Sequence, residues 1–415
     1  MKSVLHLNAS SRGGAFVVAQ RLSEALSETG KMQSGHLVYS GNPGNYFLWA
    51  NNVFRKGIAF GMHALEKLDF LRYEKNKSIR FAFSHGLTGI PIYQNQLVQN
   101  ADIIHLHWIN KGFISLSGLK KIIELGKPVI WTTHDMWLYT GGCYHNRGCN
   151  HFTVNCGNCP YLKKPEGQDL SYRVFNAKKK LLSSPNLHLV APSNWLADIA
   201  MQSGVALKKS PIVIPNGIDT QLFRPEDKIK SREKLGIPVD KKVLLFIAGN
   251  LSNPYKGFQE FTEMFAELRK TSSDFHAVVV GNRNPGFELN NPSYQWFVGV
   301  GNPEILRQFY NATDLYVTTS LEENLPTTVV ESISCGTPVA GFEVGGIRDI
   351  LPHLLGNYLA PKGDKIALAS LISDFFQLSE MDLAELSNFA RKQAETVFDI
   401  RVVAQQYLNL YANLF

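Results

Sequence analysis

The sequence predicts an α/β protein made of two doubly wound domains, and three observations lead to this prediction. The chain has 415 residues, more than the roughly 250–300 residues that one hydrophobic core usually supports. Short apolar runs alternate with helix-length amphipathic segments, which is the pattern of parallel sheets flanked by helices. A segment rich in proline and turn residues, "SPIVIPNGIDTQLFRP" (210–225), separates an earlier series of these runs from a later one.

The first series begins at the N-terminus. "SVLHLN" (3–8) is predicted as a strand, "SSRGG" as a tight turn, and "AFVVAQRLSEALSETG" as a helix that ends at Gly30. Further strands are predicted at 101–108, 128–134 and 188–193.

Residues 48–75 combine aromatic side chains with Arg and Lys at nearly helical spacing. Glycines interrupt the pattern, which favours a pair of helices packed on the first domain. The alternative is an interfacial surface that contacts membrane lipid or a lipid-linked acceptor.

The second series predicts strands at 242–250, 276–282, 314–320 and 338–342. The closing segment "VFDIRVVAQQYLNLYANLF" has apolar residues at helical spacing, so it is predicted as a helix. Because α/β sheets bind ligands at the carboxyl ends of their strands, two such domains are expected to hold a ligand between them.

Composition excludes several classes of protein. With 44% apolar and 19% charged residues the chain is typical of a globular protein rather than a disordered one. The net charge of +7 comes from scattered residues, whereas nucleic-acid binding needs a concentrated basic stripe, so no nucleic-acid partner is expected. No apolar window is long enough for a transmembrane helix, and the N-terminus lacks the apolar core of a signal peptide. The expected localisation is cytoplasmic.

The stretch "SLEENLPTTVVESISCGTPVAGFEVGG" (320–346) carries the strongest chemical pattern. A helix is predicted to begin near Pro326, which places Thr327 and Thr328 in a first turn able to bind an anion. Glu331 falls on the same helical face as these threonines, and Glu323 lies on the preceding loop. The pattern allows a phosphate to bind between two carboxylates that accept hydrogen bonds from sugar hydroxyls. Two solvated glutamates at a helix start are the alternative.

This stretch resembles the donor-binding segment of the family 4 glycosyltransferases, which have the GT-B fold. Members carry Glu, seven residues, Glu, a small-residue helix, "GTPV" and a Gly-Gly turn. "IVIPNGIDTQLFRP" is similar to the family's interdomain strand and turn, "TTHDMW" to its first-domain histidine segment, and "SSRGGAFVVAQRL" to its N-terminal glycine loop. The resemblance spans nearly the whole chain in the same order. It is closest to the bacterial exopolysaccharide, O-antigen and colanic-acid branch, in which "GGC…C…CGNCP" follows the histidine.

The resemblance implies two Rossmann-like, doubly wound domains with an interdomain cleft. Residues 1–210 would form the acceptor-side domain, with a Cys-rich loop at 141–162. Residues 211–395 would form the nucleotide-sugar-binding domain, and residues 396–415 a helix that packs back on the first domain.

The implied function is transfer of a sugar, with retention of configuration, from a UDP- or GDP-sugar to a glycan or polyprenyl-linked oligosaccharide of a surface polysaccharide or lipopolysaccharide. Since the sequence contains no Asp-x-Asp, metal-independent chemistry is expected. A peripheral contact with the cytoplasmic face of the inner membrane would suit such an acceptor. The alternatives are a GT-B nucleotide-sugar epimerase and a non-catalytic binding module organised by the cysteines.

The resemblance also assigns roles to individual residues. Glu331 would hold the ribose hydroxyls of the nucleotide. Glu323, with the backbone of Asn324 and Leu325, would hold the transferred sugar, since a carboxylate accepts several hydroxyl donors. Lys256, in "NPYKGF", matches the family's phosphate lysine.

The diphosphate is expected to receive backbone N–H donors from the Gly13-Gly14 loop and from the helix start at Thr327. One position departs from the family: many members place an Arg after the strand, where this chain has Asn250. An amide does not replace a guanidinium charge. Arg12 is predicted to supply the missing cation when the domains close.

His134 lies at the predicted carboxyl end of a strand, in "TTHD". The family places its histidine near the sugar, and His134 is therefore predicted to hydrogen bond a sugar hydroxyl. Together with Glu323 and Lys256 it forms the predicted catalytic set. A structural histidine is the alternative.

Four of the five cysteines lie within 17 residues, at Cys143, Cys149, Cys156 and Cys159. In a reducing cytoplasm four thiolates of this kind predict a structural zinc site. His145 and His151 are alternative ligands, and free thiols or disulfides are the alternatives to a metal.

Overall fold

The computed structural model describes residues 1–282 and 293–414, and the chain divides into two compact units. Unit 1 comprises Met1–Pro215 and the described chain from Val403 onward, and unit 2 comprises Asn216–Val402. The change of unit at 215/216 falls inside the proline-rich segment, whereas the sequence predicted it at 210/211.

The chain rejoins unit 1 at Val403, while the sequence predicted the final helix to leave the second domain at 396. Backbone hydrogen bonds explain the difference. The N–H of Ile218 donates to the carbonyl of Phe398 at 2.8 Å, and the N–H of Ile400 donates to the carbonyl of Ile218 at 2.8 Å. These bonds attach the beginning of the final helix to the first strand-like segment of unit 2.

Unit 1 contains a parallel sheet. Its strands are β1 Ser3–Ser10, β2 Gln33–Ser40, β3 Phe47–Leu48, β4 Ile103–Leu106, β5 Val129–Thr132, β6 Leu187–Ala191 and β7 Ile212–Val213. Its helices are α1 Gly14–Glu28, α2 Val53–Leu71, α3 Gln96–Asn100, α4 Leu116–Ile123, α5 Leu170–Leu182 and α6 Asn194–Gln202. Among the described residues the strand order is β3-β2-β1-β4-β5-β6-β7, with every pair parallel. The order reverses between β1 and β4, and ligands of doubly wound sheets bind at such a switch point.

Unit 2 repeats this organisation. Its strands are β8 Lys242–Asn250, β9 Phe275–Asn282, β10 Tyr294–Phe297, β11 Leu315–Thr318, β12 Val339–Phe342 and β13 Leu359–Ala360. Its helices are α7 Lys228–Leu235, α8 Phe258–Thr271, α9 Pro303–Asn311, α10 Thr327–Ser334, α11 Ile347–Ile350, α12 Lys365–Phe375 and α13 Glu380–Gln393; α14 Ile400–Ala412 begins here and continues into unit 1. The described strands lie in the order β10-β9-β8-β11-β12-β13, all parallel. The switch point is between β8 and β11.

The central strands show why the sequence could predict this class. β4, β5, β11 and β12 are buried at every position, as expected for parallel strands covered by helices on both faces. Each unit has its own hydrophobic core. The predicted fold class is confirmed.

The last helix is anchored in unit 1 by two tyrosines. Tyr407 and Tyr411 are buried. The hydroxyl of Tyr407 lies 2.8 Å from the hydroxyl of Thr132, and that of Tyr411 lies 2.7 Å from Nδ1 of His105. Paired hydroxyls let these large side chains be buried without an unsatisfied polar atom.

Helix α2 differs from the prediction for residues 48–75, because it is one continuous helix rather than a pair. Asn52 caps it by accepting the N–H of Arg55 at 2.9 Å. A glycine inside a helix costs about 1 kcal/mol relative to alanine, so Gly57 and Gly61 weaken the helix without ending it. In the described part of the chain, neither α2 nor any other helix has the length and apolar content needed to cross a bilayer.

Candidate functional site

The clearest grouping of predicted residues is an ion pair at the carboxyl edge of the unit 2 sheet. Lys256 ends a short 3-10 turn after β8, and Glu323 lies on the loop after β11. The ammonium Nζ of Lys256 is 2.6 Å from Oε1 of Glu323. The Glu323 side chain is 13% exposed and that of Lys256 is 39% exposed. The pair is therefore partly desolvated yet still open to solvent on the lysine side.

Close backbone packing holds the Lys256 turn against the end of β11. Gly257 has a φ of 72°, and a Cβ there would lie 1.8 Å from the carbonyl oxygen of Thr319. The hydroxyl of Thr319 donates to the carbonyl of Gly257 at 2.7 Å. The N–H of Leu321 donates to the carbonyl of Tyr255 at 2.9 Å. Only glycine permits this approach, so the turn and the loop behave as one support for the ion pair.

A second glycine turn supports the Glu323 loop from the other side. Gly345 has a φ of 57°, and a Cβ there would lie 1.8 Å from the carbonyl oxygen of Glu323. The N–H of Gly346 donates to the carbonyl of Asn324 at 2.7 Å. Asn324 and the following Leu325 are buried. The Gly-Gly turn of the sequence motif thus fixes the backbone that precedes α10.

The Asn216-Gly217 turn also contacts this loop. The side-chain amide of Asn216 is buried and donates to the carbonyl of Leu325 at 3.3 Å. The sequence predicted the turn only as a domain boundary.

Glu331 lies in α10 and is buried. Its Oε2 accepts a hydrogen bond from the hydroxyl of Tyr310 at 3.0 Å. Burial, together with the nearby Glu331 carboxylate, raises the pKa of Tyr310 well above its usual value, so the hydroxyl keeps its proton and donates. Tyr310 was not predicted, because its contact with Glu331 depends on the packing of α9 against α10.

The start of α10 agrees with the local prediction. Pro326 precedes the first helical residue, and Thr327 and Thr328 occupy the first turn, half-buried. The helix is eight residues long and Gly336, at a φ of 74°, follows it. The N–H groups of a first helical turn point out of the helix end and suit an anion.

At the end of β8, Asn250 occupies the position where the family often has Arg. Its side-chain oxygen accepts the N–H of Ser252 at 3.0 Å. The amide thus serves its own loop and brings no positive charge.

Arg12, Gly13 and Gly14 follow β1, so they belong to unit 1, whereas the other donor-site candidates belong to unit 2. Gly13 has a φ of 94°, a backbone conformation that other residues rarely adopt. A Cβ at Gly13 or Gly14 would meet nothing within 4 Å. The loop is therefore open, and the side chain of Arg12 is exposed.

In unit 1, His134 follows β5 and belongs to a line of histidines. Its Nε2 lies 3.1 Å from Nδ1 of His107, whose Nε2 lies 2.9 Å from Nδ1 of His6. His6 pairs in register with His105 across β1 and β4, and His36 is opposite His6 on β2. This cluster was not predicted from the sequence. The available signal was the His-Leu-His alternation at residues 105–107, at the end of β4, which puts two imidazoles on one face of the sheet.

Burial lowers the pKa of His134 and of His36 to about 4, and it lowers the pKa of His6, His105 and His107 well below the usual value. These imidazoles are therefore neutral at pH 7. In a line of neutral rings each N–H···N bond consumes one donor and one acceptor. Along the line His6–His107–His134 all the N–H groups therefore donate in the same direction. His134 is uncharged and acts on a ligand through hydrogen bonds.

The ligating atoms of His6, His105 and His107 lie within 4.8 Å of one another, which raises the question of a metal. The His105 and His107 rings stack at 4.3 Å with an interplanar angle of 28°, and the His6 and His107 rings stack at 5.2 Å with 26°. Imidazole lone pairs lie in the ring plane, so stacked rings do not aim them at a common point. The arrangement fits a hydrogen-bonded stack and not a metal centre.

The loop after His134 is tied to α5 by a buried lysine. The ammonium of Lys178 donates to the carbonyls of Trp137 at 2.5 Å and Thr140 at 3.1 Å. It also lies 3.6 Å from the centre of the Trp137 ring. Burial lowers the pKa of Lys178 to about 7. These contacts fix the segment that follows His134 against α5.

The four clustered cysteines line one small pocket of unit 1. Burial raises the pKa of Cys143 to about 11 and that of Cys159 to about 12, so these groups are thiols at pH 7. The ligand chemistry suits zinc. Within the described residues, however, only one group of three His, Cys, Asp or Glu side chains has its ligating atoms within 4.8 Å of one another, and that group is His6, His105 and His107. The sulfur positions do not form a ligand set, and structural zinc stays a prediction.

A cavity of about 600 Å³ in unit 2 lies at the opposite edge of the sheet from the ion pair. It is lined by residues at the amino ends of strands, among them Lys242, Asp314 and Pro338. Ligands of doubly wound sheets bind at the carboxyl edge, so the candidate site is assigned by the grouped residues and not by cavity size.

Comparisons with known proteins agree with this geometry. The family model "Glycosyltransferase Family 4" matches residues 12–222, and "Glycosyl transferases group 1" matches residues 227–393. The putative colanic acid biosynthesis glycosyl transferase WcaC of Escherichia coli is 24% identical over 97% of both chains. The lipopolysaccharide 1,2-N-acetylglucosaminetransferase of Salmonella typhimurium is 25% identical over 59% of this chain and 67% of that enzyme.

Among solved structures, Anabaena Alr3699/HepE in complex with UDP superposes with a TM-score of 0.67 over 100% of both chains, at 18% identity. HepE has also been solved with UDP-glucose. At this identity the likeness concerns the fold alone. Because the family 4 model covers half of the chain and the group 1 model follows it without overlap, this protein is a member of glycosyltransferase family 4 with the GT-B fold.

Proposed function

We propose that this glycosyltransferase moves a sugar from a nucleoside diphosphate sugar, with retention of configuration, to a glycan or polyprenyl-linked oligosaccharide of a bacterial surface polysaccharide. The observation that carries the proposal is the Lys256–Glu323 pair. A donor of this class needs a cation beside its diphosphate and a carboxylate beside its sugar hydroxyls. The pair supplies both at the carboxyl edge of one sheet.

Donor binding would separate Lys256 from Glu323, because each side chain would contact a different part of the donor. In the ligand-free chain each charge neutralises the other at 2.6 Å. A diphosphate carries more negative charge than one carboxylate, so it attracts the ammonium of Lys256 away. Glu323 is then able to accept hydroxyls of the transferred sugar. The ion pair thus keeps both side chains positioned until the donor replaces it.

The nucleoside would be held at Glu331. Its carboxylate is oriented by the buried hydroxyl of Tyr310, and a carboxylate that accepts one fixed donor still accepts ribose hydroxyls. The first turn of α10 adds N–H groups for the diphosphate through Thr327. Gly13 and Gly14 on unit 1 are proposed as further phosphate contacts, with Arg12 in place of the cation that Asn250 lacks.

The chemistry proposed is metal-independent, because charge that develops on the departing diphosphate meets Lys256 and backbone N–H groups. Retention is proposed to proceed by front-face attack, in which the departing phosphate takes the proton of the acceptor hydroxyl. Neither Glu323 nor Glu331 acts as a nucleophile in this scheme. Neutral His134 hydrogen bonds a sugar hydroxyl and exchanges no charge with it.

The comparisons narrow the substrates to be tested. WcaC is named for colanic acid biosynthesis and the Salmonella relative for lipopolysaccharide, which supports a surface polysaccharide as the product. HepE was crystallised with UDP and UDP-glucose, so UDP-sugars are the donors to test first and GDP-sugars the donors to test next. A lipid-linked acceptor would require the protein to work at the cytoplasmic face of the membrane.

The test is release of nucleoside diphosphate and formation of a glycoside from UDP-sugars, with polyprenyl-diphosphate sugars as acceptors and NMR of the product anomer. Lys256→Met is expected to lower kcat/KM by roughly 10²–10³-fold, the usual loss for one group that stabilises developing charge. Lys270→Met is the matched control, because Lys270 is exposed on α8 and pairs with Glu267 within its own helix.

Three results would contradict the proposal. Conversion of the donor to an isomer without any acceptor would identify an epimerase. Equal turnover by Lys256→Met and Lys270→Met would show that the ion pair is not part of the active site. An inverted product anomer would refute retention.

A further inference from the structure

Helix α2 exposes apolar side chains where a surface helix normally presents polar ones. Phe54 is 78% exposed, Phe60 is 76% exposed and Leu68 is 61% exposed. The full set of large apolar side chains exposed on this helix is Val53, Phe54, Phe60, Leu65, Leu68 and Leu71. At 100° per residue these six fall within an arc of about 140°. They form one continuous stripe, called here the α2 stripe.

The opposite side of the helix is the one that packs on unit 1. Ala59, Glu66 and Phe70 are buried there, and the Phe70 ring stacks on Phe83 at 4.7 Å. The α2 stripe is therefore not the core-facing side of an ordinary amphipathic helix. Contiguous exposed apolar surface of this kind marks a binding surface in soluble proteins.

A neighbouring aromatic extends the stripe. The ammonium of Lys67 lies 5.5 Å from the centre of the Phe81 ring, and it donates to the carbonyl of Arg80 at 2.9 Å. Phe81 is 68% exposed. The apolar surface thus passes from the helix to the segment that follows it.

The charges around the stripe are arranged asymmetrically. Residues 53–81 contain seven basic side chains and three carboxylates. Lys56 is exposed on the helix, and Arg72, Lys75 and Lys77 are exposed just after it.

The carboxylates are directed elsewhere or neutralised. Glu66 is buried and accepts the hydroxyl of Ser84. Glu74 is buried and pairs with Arg80, while Asp69 pairs with Arg72 at 2.9 Å. The outer surface is consequently apolar at its centre and positive at its edges.

We infer that the α2 stripe inserts into the interfacial region of an anionic lipid bilayer, with the helix lying in the membrane plane. A helix of 19 residues is about 28 Å long, and interfacial helices combine such an apolar face with Lys and Arg at its edges. Charge complementarity selects the occupant, because the basic rim matches lipid phosphates. The long side chain of Lys56 reaches headgroups while its methylenes stay at the apolar boundary.

The membrane contact rests on the exposed face itself. Its use, which is to bring the site to a polyprenyl-linked acceptor, rests on the proposed function. The two are separable by experiment because the α2 stripe belongs to unit 1 and the Lys256–Glu323 pair to unit 2.

The experiment is co-sedimentation of the full chain with vesicles made of phosphatidylglycerol and phosphatidylcholine in equal parts, and with phosphatidylcholine alone. The wild type is expected to bind the anionic vesicles, more weakly as salt rises. The triple variant Phe54→Ser/Phe60→Ser/Leu68→Ser is expected to lose at least tenfold in partitioning. These side chains are exposed, so folding should be retained, and circular dichroism checks it.

A second variant, Lys56→Gln/Lys75→Gln, tests the rim. Each basic residue near an anionic surface contributes about a fivefold factor, so the pair should weaken binding by roughly 25-fold on anionic vesicles. The matched control is Ile366→Ser/Met381→Ser, which removes equally exposed apolar side chains from unit 2 and should leave binding unchanged.

The inference is overturned if the wild type stays in solution with anionic vesicles at low salt, or if the triple variant binds as well as the wild type. It is also overturned if the stripe mediates association between copies, seen as a concentration-dependent dimer in sedimentation velocity that the triple variant abolishes. A nucleotide-induced thermal shift measured on the same samples reports the donor site separately. A nucleotide-induced shift without vesicle binding refutes only the membrane contact of the α2 stripe. Vesicle binding without a nucleotide-induced shift refutes only the donor site.

Discussion

The histidine cluster predicts an unusually steep loss of stability in mild acid. The histidines are neutral in the folded chain, because burial lowers the pKa of His134 and His36 to about 4 and lowers the pKa of the other three well below the usual value, whereas an unfolded histidine has a pKa of about 6.5. Between these values the unfolded state binds more protons than the folded state. The free energy of unfolding therefore falls as the pH falls below 6.5.

The magnitude follows from the five histidines of the cluster, each of which is protonated at pH 5.5 only in the unfolded chain and contributes about 1.4 kcal/mol of lost stability, about 7 kcal/mol together. Two neighbours nearly cancel each other. Burial raises the pKa of Asp135 to about 6, so its protonation stabilises the fold in the same pH range and offsets under about 1 kcal/mol, whereas burial lowers the pKa of Lys178 to about 7, so the unfolded chain binds more protons at this lysine and the loss grows by a similar amount. The expected net loss from pH 7.5 to 5.5 is about 7 kcal/mol, a large share of the 5–15 kcal/mol typical of folded proteins.

The assay is urea unfolding followed by tryptophan fluorescence between pH 5.5 and 7.5. Five of the six tryptophans belong to unit 1, and only Trp296 belongs to unit 2, so fluorescence reports the unit that contains the cluster. His6→Gln should flatten the pH dependence by about 1.4 kcal/mol at pH 5.5, and His353→Asn, at an exposed position, should leave it unchanged. Equal stability at the two pH values would refute the neutral, buried assignment.

Three further predictions concern the candidate donor site of unit 2 and the Cys-rich loop of unit 1. Tyr310→Phe should raise the dissociation constant of the nucleotide about tenfold without changing the product, measured by calorimetry, because the Glu331 carboxylate loses its orienting donor; an unchanged constant would contradict this. Gly345→Ala should lower the free energy of unfolding of unit 2 by at least 2 kcal/mol in urea, since the added Cβ would lie 1.8 Å from the carbonyl of Glu323; a neutral effect would show that the turn is not fixed. Metal analysis by mass spectrometry of protein purified without chelators tests the zinc prediction that the cysteine spacing makes and the sulfur positions do not support: about one zinc per chain, lost in Cys143→Ser/Cys159→Ser, would confirm it, and no metal in the wild type would leave the cysteines as free thiols.

The fold was predictable because its signals are local. Buried parallel strands produce apolar runs in the sequence. The Pro-rich segment 210–225 separates the runs of the first unit from those of the second. The α10 helix was predictable for the same reason, since Pro326 and Gly336 mark its ends within one short stretch. The position of the Glu323 loop beside the Lys256 turn was suggested by family resemblance and not by spacing.

What escaped prediction depends on contacts between distant segments. The histidine line requires β1 to lie beside β4 in the register that pairs His6 with His105, and periodicity within one strand carries no information about its neighbour. Tyr310 meets Glu331 only because α9 packs near α10. The cysteine spacing indicated ligand chemistry, but spacing alone does not determine whether four sulfurs converge.

Helix α2 was mispredicted as a helix pair for an instructive reason. Gly57 and Gly61 are ordinary breaking signals, yet both lie on the exposed side, where the lack of a side chain leaves no gap in the core. The same stretch contains the apolar stripe. A hydrophobic pattern identifies an apolar face, but only the packed structure shows that this face is turned outward.

The most direct test of the account is thermal unfolding of the wild type and of Glu331→Gln with UDP, GDP, ADP and their sugars. A ligand at a hundredfold excess over its dissociation constant stabilises the folded state by about 2.7 kcal/mol. One nucleotide and its sugars are expected to raise the unfolding temperature of the wild type, and the rise should largely disappear in Glu331→Gln. No shift with any nucleotide, or an equal shift in the variant, would contradict a donor site at Glu331 of unit 2.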